Sequence, residues 1–328
     1  MKYDIICVGD TTYDIFIRPH EAQTIESAKK ANLHVLSEKM LCFSYGDKID
    51  VEEVIYSLGG TACNVAAGVK KLGLHAGLMS FCGDDDMGLK IKQLVEDQGI
   101  ELVNFITDHK IHSTYSFILR YKGDRTILVY RDHFDYTKLK LNKIKNTKWL
   151  YLSSLGEGYE KEAVSLASEK NIKIAMNPGK QQLEKKTKEF LLLLKLSEIV
   201  IINKEEAEIL IDARFPMQIK EIFYKLAEFG AKNVIVTDGT NGAYAKIERE
   251  IIHIPAIGAK TIEATGAGDA FGAGFMASYI IEGDIKKALI WGVINGGKVT
   301  EIVGAQNGIL DKAMMEKEAE RVYKKNFS

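Results

Sequence analysis

Short apolar runs alternate along most of the chain with longer stretches whose apolar residues recur every three or four positions. The short runs predict buried strands at Tyr3 to Val8, Ala76 to Cys82, Trp149 to Ser153, Ile172 to Met176, Ile199 to Ile202 and Asn233 to Thr237. The longer spacing predicts helices over Thr61 to Leu72, Gly88 to Gln98, Lys161 to Lys170, Lys204 to Ile211 and Met217 to Phe229. Gly73 closes the first of these as a C-terminal cap would. A glycine-rich helix ending near Glu282 is followed by a second helical stretch from Ile285 to Ile302. Strand and helix in turn imply an α/β protein whose sheet is largely parallel and covered by helices.

Two regions break the rhythm. Ile15 to about Leu58 is one, and Ser113 to Arg131, a hairpin around Lys122-Gly123-Asp124, is the other. Together they predict a small β-rich lid from segments about 15–58 and 111–134, within a single domain spanning 1–328. The plainer reading is an antiparallel edge that gates nothing.

Composition narrows the choices. A chain of 328 residues with 46% hydrophobic side chains can bury a large core, and 44 basic against 45 acidic side chains give no global footprint for nucleic acid or an anionic membrane. Lys185-Lys186-Thr187-Lys188 reads as a solvated helix face. Cys7, Cys42, Cys63 and Cys82 lack metal spacing and read as reduced thiols. The apolar runs are too short and interrupted to span a bilayer and the N-terminus has strand pattern, so the cytoplasm is the expected location. His109 and His112, three apart with no glutamate, read as surface residues rather than metal ligands.

The chemistry concentrates in Thr265-Gly266-Ala267-Gly268-Asp269. Small residues at a helix start let a ligand approach unpaired N–H groups and the positive end of the helix dipole, which suits a phosphate. Asp269 there could take a proton from an attacking hydroxyl. The alternative is that Gly266, Gly268, Gly272 and Gly274 merely let the helix pack closely. A dinucleotide fingerprint fails, because a helix rather than a strand follows. A P-loop and a G-x-S-x-G elbow are both absent from the sequence. Ahead of an earlier helix, Gly59-Gly60 precede Asn64, whose amide offers a donor and an acceptor to a diol. Asp14 follows the first strand, at the edge where α/β sheets bind ligands, although such an Asp is as readily a turn residue.

Gly59-Gly60 with Asn64 and Ala66, then Asn203-Lys204-Glu205-Glu206, then Thr237-Asp238-Gly239-Thr240-Asn241-Gly242, then Gly266-Ala267-Gly268-Asp269, resemble in order the signatures of the ribokinase-like (PfkB) carbohydrate kinases. The resemblance covers nearly the whole chain. It implies a three-layer sandwich with an eight- or nine-stranded, mostly parallel sheet and a β lid, with ATP as donor and Mg2+ as counter-ion. By the resemblance Asp269 is the catalytic base, and Gly266, Ala267 and Gly268 form the anion hole. Asp14, Gly59, Gly60 and Asn64 hold the acceptor. Asn203 and Glu206 position the phosphates, with Glu206 meeting Mg2+ through water, and Thr237, Gly239, Gly242 and Asn295 border the nucleotide. A monovalent cation such as K+, held by carbonyls around Gly304-Ala305, and a homodimer through the lid are also implied.

Two departures stand out. Glu263-Ala264-Thr265 replaces the family's usual Asp-Thr-Thr, which unsettles the cation site, and only Glu157 offers a counterpart to a substrate-binding glutamate. Asn177-Pro178-Gly179-Lys180 reads as a turn more than as a phosphate border. The expected activity is transfer from ATP to a hydroxymethyl group of a small sugar. The alternatives are a nucleoside kinase, with Tyr115, Phe117 and Tyr130 stacking on the base, a non-catalytic sugar or nucleotide sensor, and a structural protein.

Overall fold

The computed structural model describes residues 2–26, 39–154, 158–169, 172–247, 250–257 and 261–327. Glu157 lies outside them. The main sheet runs, edge to edge, Glu250–Ile254, Ala243–Ile247, Asn233–Thr237, Ile199–Asn203, Lys173–Met176, Thr147–Leu152, Tyr3–Val8, Ala76–Met79 and Glu101–Leu102. All neighbours are parallel except the last hairpin, Ala243–Ile247 with Glu250–Ile254, and its junction to Asn233–Thr237.

Period-two alternation makes the three layers. Ile5 and Cys7 face one side, where helices Thr61–Lys71, Ala267–Glu282 and Ile285–Val299 pack, and Ile6 and Val8 face the other, toward Glu160–Glu169, Lys188–Leu196 and Ile219–Leu226. The order of strands reverses at Tyr3–Val8, whose successors lie on opposite sides of it. A crevice at the carboxyl ends of the strands is therefore expected beside it.

A separate four-stranded sheet has the order Asp124–Tyr130, Tyr115–Tyr121, Thr12–Pro19, Val51–Gly59. Its hairpin turns through Lys122 and Gly123, both at positive φ (49° and 84°), a pair of dihedrals that follows the strands' own twist.

Some boundaries differ from expectation. The run Ala76 to Cys82 is two strands, because Ala76–Met79 pairs with Glu101–Leu102 whereas Phe81–Gly83 pairs with Ile106–Asp108. The basic run at 185–188 is not one helix face. Lys186 ends one helix at φ 45° and Thr187 caps the next by accepting from the Phe190 N–H. Asp14 is neither turn nor cap but the third residue of a strand in the small separate sheet, opposite Ser57 and Ser116.

Candidate active site

Gly60 and Gly266 are the N-caps of the helices Thr61–Lys71 and Ala267–Glu282, at φ 89° and 80°, conformations that favour glycine. A Cβ on Gly60 would lie 2.4 Å from the Asp10 carbonyl oxygen, and one on Gly266 would lie 2.5 Å from the Ala305 side chain. Both turns are thus held against backbone from elsewhere in the chain.

The two helices bring Asn64 and Asp269 together across 205 positions of sequence. Asn64 Nδ2 donates to Asp269 Oδ2 at 2.7 Å. An ionised carboxylate only accepts, so Asn64 must present its NH2 to Asp269 and its carbonyl elsewhere. That carbonyl accepts from Gln306 Nε2 at 2.9 Å, and Gln306 in turn accepts from Gln98 Nε2 at 2.8 Å. This amide chain was not legible beforehand, because Gln98 and Gln306 stand in no motif.

Burial pushes the Asp269 carboxyl above its ordinary range, the neighbouring Asp14 adds to the rise, and hydrogen bonds from Asn64 and Thr61 oppose it. Asp14 is itself 6% exposed and raised by burial, with hydrogen bonds from Thr12 (2.9 Å) and Ser116 pulling the other way. A Cβ on Gly59 would sit 2.1 Å from the Asp14 carboxylate, so Gly59 leaves the room that this side chain fills.

The glycines of the late helix divide between the two readings. Cβ atoms on Gly272 and Gly274 would meet Tyr151 Oη at 2.8 Å and the Trp291 carbonyl at 2.5 Å, which is close packing. A Cβ on Gly268 would meet nothing within 4 Å. Gly268 and Ala267 border a cavity of about 420 Å3 lined also by Thr237, Gly239, Gly242 and Phe271. The expected nucleotide residues Thr237, Gly239 and Gly242 therefore converge on the helix start. Asn295 does not join them. It is fully buried, donating to the Ala270 carbonyl at 2.8 Å and accepting from the Leu310 N–H at 3.2 Å, while Val293, Gly296 and Gly297 of its helix line the cavity.

Asn203 and Glu206 form a reciprocal cap: the Glu206 N–H donates to Asn203 Oδ1 at 2.8 Å and the Asn203 N–H to Glu206 Oε2 at 2.9 Å. Burial raises the Glu206 carboxyl and the charge on Asp269 raises it further. Among the described residues no cluster of three or more His, Cys, Asp or Glu could hold a metal. That donor set is compatible with Mg2+ held mainly by phosphate and water.

At Glu263 the side-chain oxygens already have partners. Glu263 Oε1 accepts from the Thr265 N–H (3.0 Å) and Oγ1 (2.7 Å), and Arg125 and Arg120 bring guanidinium nitrogens to 3.4 and 3.6 Å of its two oxygens. A further cation would meet two positive charges already in place.

A polar cleft of about 630 Å3 opens around Asp10, Arg131, Tyr136 and Lys180. Asp10 accepts from Tyr136 Oη at 2.8 Å and pairs with Arg131 at 3.3 Å. Asn177 serves its turn by donating to the Ile201 carbonyl at 2.8 Å. Tyr115, Phe117 and Tyr130 do not face Asp14. Register places Ser116 beside Asp14, so the alternate residues Tyr115 and Phe117 point to the opposite face, where Tyr115 stacks on Tyr130 with centroids 5.1 Å apart.

Comparison with known proteins bears on the family and the fold. The family model for pfkB family carbohydrate kinases matches residues 22–313. An ATP-dependent 6-phosphofructokinase from Thermoanaerobacterium thermosaccharolyticum is 24% identical over 319 residues, covering 93% of this chain and 90% of the relative. A nucleoside kinase from Methanocaldococcus jannaschii is 27% identical over 270 residues, covering 80% and 86%. In structure the chain resembles a putative ribokinase II from E. coli, with a TM-score of 0.78, 17% identity and coverage of 97% and 99%.

Proposed function

The chain belongs to the pfkB family of carbohydrate kinases, and from that premise we propose that it transfers the γ-phosphoryl group of ATP to a hydroxymethyl group of a small sugar. The observation that carries the reading is the 2.7 Å bond between Asn64 and Asp269, which joins an acceptor-side glycine turn to the start of a helix bordering the 420 Å3 cavity. ATP would occupy that cavity with its phosphates at Gly266, Ala267 and Gly268, where the N–H groups of the first turn meet the charge that develops in transfer. Asp14, Gly59, Gly60 and Asn64 would hold the acceptor. Asp269 would take the proton as the acceptor oxygen bonds to phosphorus and the bond from phosphorus to the β–γ bridging oxygen breaks, releasing ADP. When bound, Mg2+ would neutralise phosphate charge, with Glu206 and Asn203 on its outer side.

A sugar is favoured over a nucleoside by two features. The cleft around Asp10 is lined mostly by charged and polar groups, with Phe134 and Tyr136 as its aromatic members, and Tyr115 and Phe117 of the hairpin lie on the face of their sheet opposite Asp14. Pairing of two copies through the lid is supported by Ile127, Leu128 and Val129, all more than 40% exposed on an edge strand. Measurement of ADP release with ATP and Mg2+ across pentoses, hexoses, sugar acids, sugar phosphates and nucleosides tests the reading. A sugar or sugar derivative should stimulate release most, and stimulation by nucleosides alone would replace it with the nucleoside kinase reading.

A further inference from the structure

Glu263 stands six residues before Asp269 and is only 5% exposed, although its side chain ends in a carboxyl group. Its partners come from two places. Thr265, next to the glycine turn, donates both its N–H and its hydroxyl to Oε1, which fixes the approach to Gly266. Arg120 and Arg125 come from the lid, where they form a cross-strand pair at the hairpin's tip. Both alternate in step with Ser116, so they project from the face that carries Asp14. Arg120 is also held at 3.1 Å by Glu53, two strands away across the same sheet, and its side chain is 14% exposed. One buried carboxylate therefore contacts both the lid and the loop leading into the anion hole.

Removal of the hairpin from this position would take away both guanidinium partners of Glu263 and the cover they give it, leaving Thr265 as its side-chain partner. The carboxylate would then be free to turn toward water, and the hold that the lid exerts on Thr265 through it would be lost. The closed lid and the ordered turn thus stabilise each other.

We propose that Glu263, Arg120 and Arg125 are positioning residues that couple lid closure to the ordering of the glycine turn. The inference rests on the kinase reading above. The anion hole is complete only when the hairpin is down, which places phosphoryl transfer under a cover that excludes water.

The test compares wild type with Arg120→Gln/Arg125→Gln, with the single Arg125→Gln, whose site is the more exposed, and with Arg120→Lys/Arg125→Lys. ADP release is read with and without the best acceptor, together with KM for ATP and the thermal midpoint. The double Gln variant should lose about tenfold or more in acceptor-dependent kcat with KM for ATP changed less than about threefold, the pattern of a lost transition-state arrangement. The single variant should lose less, and the Lys pair should recover most of the loss. Should the double variant fail to fold, the single variant carries the test through its kcat. A lowered thermal midpoint with unchanged kcat would reduce the bridge to a structural tie and overturn the proposal. So would failure of the Lys pair to recover any activity. Wild type without acceptor-stimulated ADP release would retire the kinase reading itself, a result distinct from an active wild type with indifferent variants.

Discussion

The helices Thr61–Lys71 and Ala267–Glu282 both start on a glycine at positive φ, and neither is capped by a side chain. Around the first, Ala62, Cys63 and Asn64 are all buried, and the Asp10 backbone closes over Gly60. Beyond the second, Gly268 faces open space beside a cavity. Gly266 is closed over as well, by Ala305, so the difference lies in the first turn that follows: it is buried at Ala62 and open at Gly268. A sealed start makes a rigid wall from which one amide projects, whereas an open one keeps its N–H groups available to an anion. The two meet where Asn64 donates to Asp269.

The comparison can be broken most sharply at the carboxylate. Asp269→Asn should leave the fold and acceptor binding nearly intact and lower kcat by about 100-fold or more, the scale of a lost general base. Steady-state ADP release and calorimetric titration of the acceptor check the two halves of that expectation. The glycines come next, and they should respond in opposite ways. Gly268→Ala puts a methyl group where the phosphates would lie, so turnover should fall by about 10- to 100-fold. Its stability should hold or rise by up to about 1 kcal/mol, since alanine is the better helix former. Gly60→Ala should instead cost about 1–3 kcal/mol in chemical denaturation, because positive φ and the Asp10 carbonyl both oppose a Cβ. Equal behaviour of the two variants would erase the distinction between a sealed and an open helix start.

The smallest effect concerns the amide. Asn64 holds the Asp269 pKa down against burial, so Asn64→Ala should move the acid limb of kcat/KM to higher pH. An acid limb that stays put, or moves down, would mean that Asn64 does not govern the ionisation of Asp269.

Much of this was legible beforehand, for identifiable reasons. Tyr3–Val8 and Asn233–Thr237 fall where their apolar runs stand, because strands buried on both faces are continuous apolar stretches. The hairpin was marked by Lys122-Gly123-Asp124 between alternating residues. The pairs Glu101–Leu102 with Ala76–Met79 and Ile106–Asp108 with Phe81–Gly83 were not, since two- and three-residue strands carry no measurable period. At the site, Gly60, Asn64 and Asp269 were marked by the turns they follow. Gln306, Thr61 and Glu263 were harder to see: their roles arise from partners far away in sequence, and Asn295 misled because an amide on a late helix looks the same whether it faces a nucleotide or ties two helices together.

The most direct test of the central claim is the pH dependence of kcat/KM in wild type and Asp269→Asn, measured side by side with the best acceptor. Wild type should lose activity on acidification along a limb displaced upward from the ordinary aspartate value of 3.8, because the base must be ionised and burial has raised its pKa. The residual activity of the variant should lack that limb. An identical limb in both proteins, with turnover undiminished in the variant, would contradict the account.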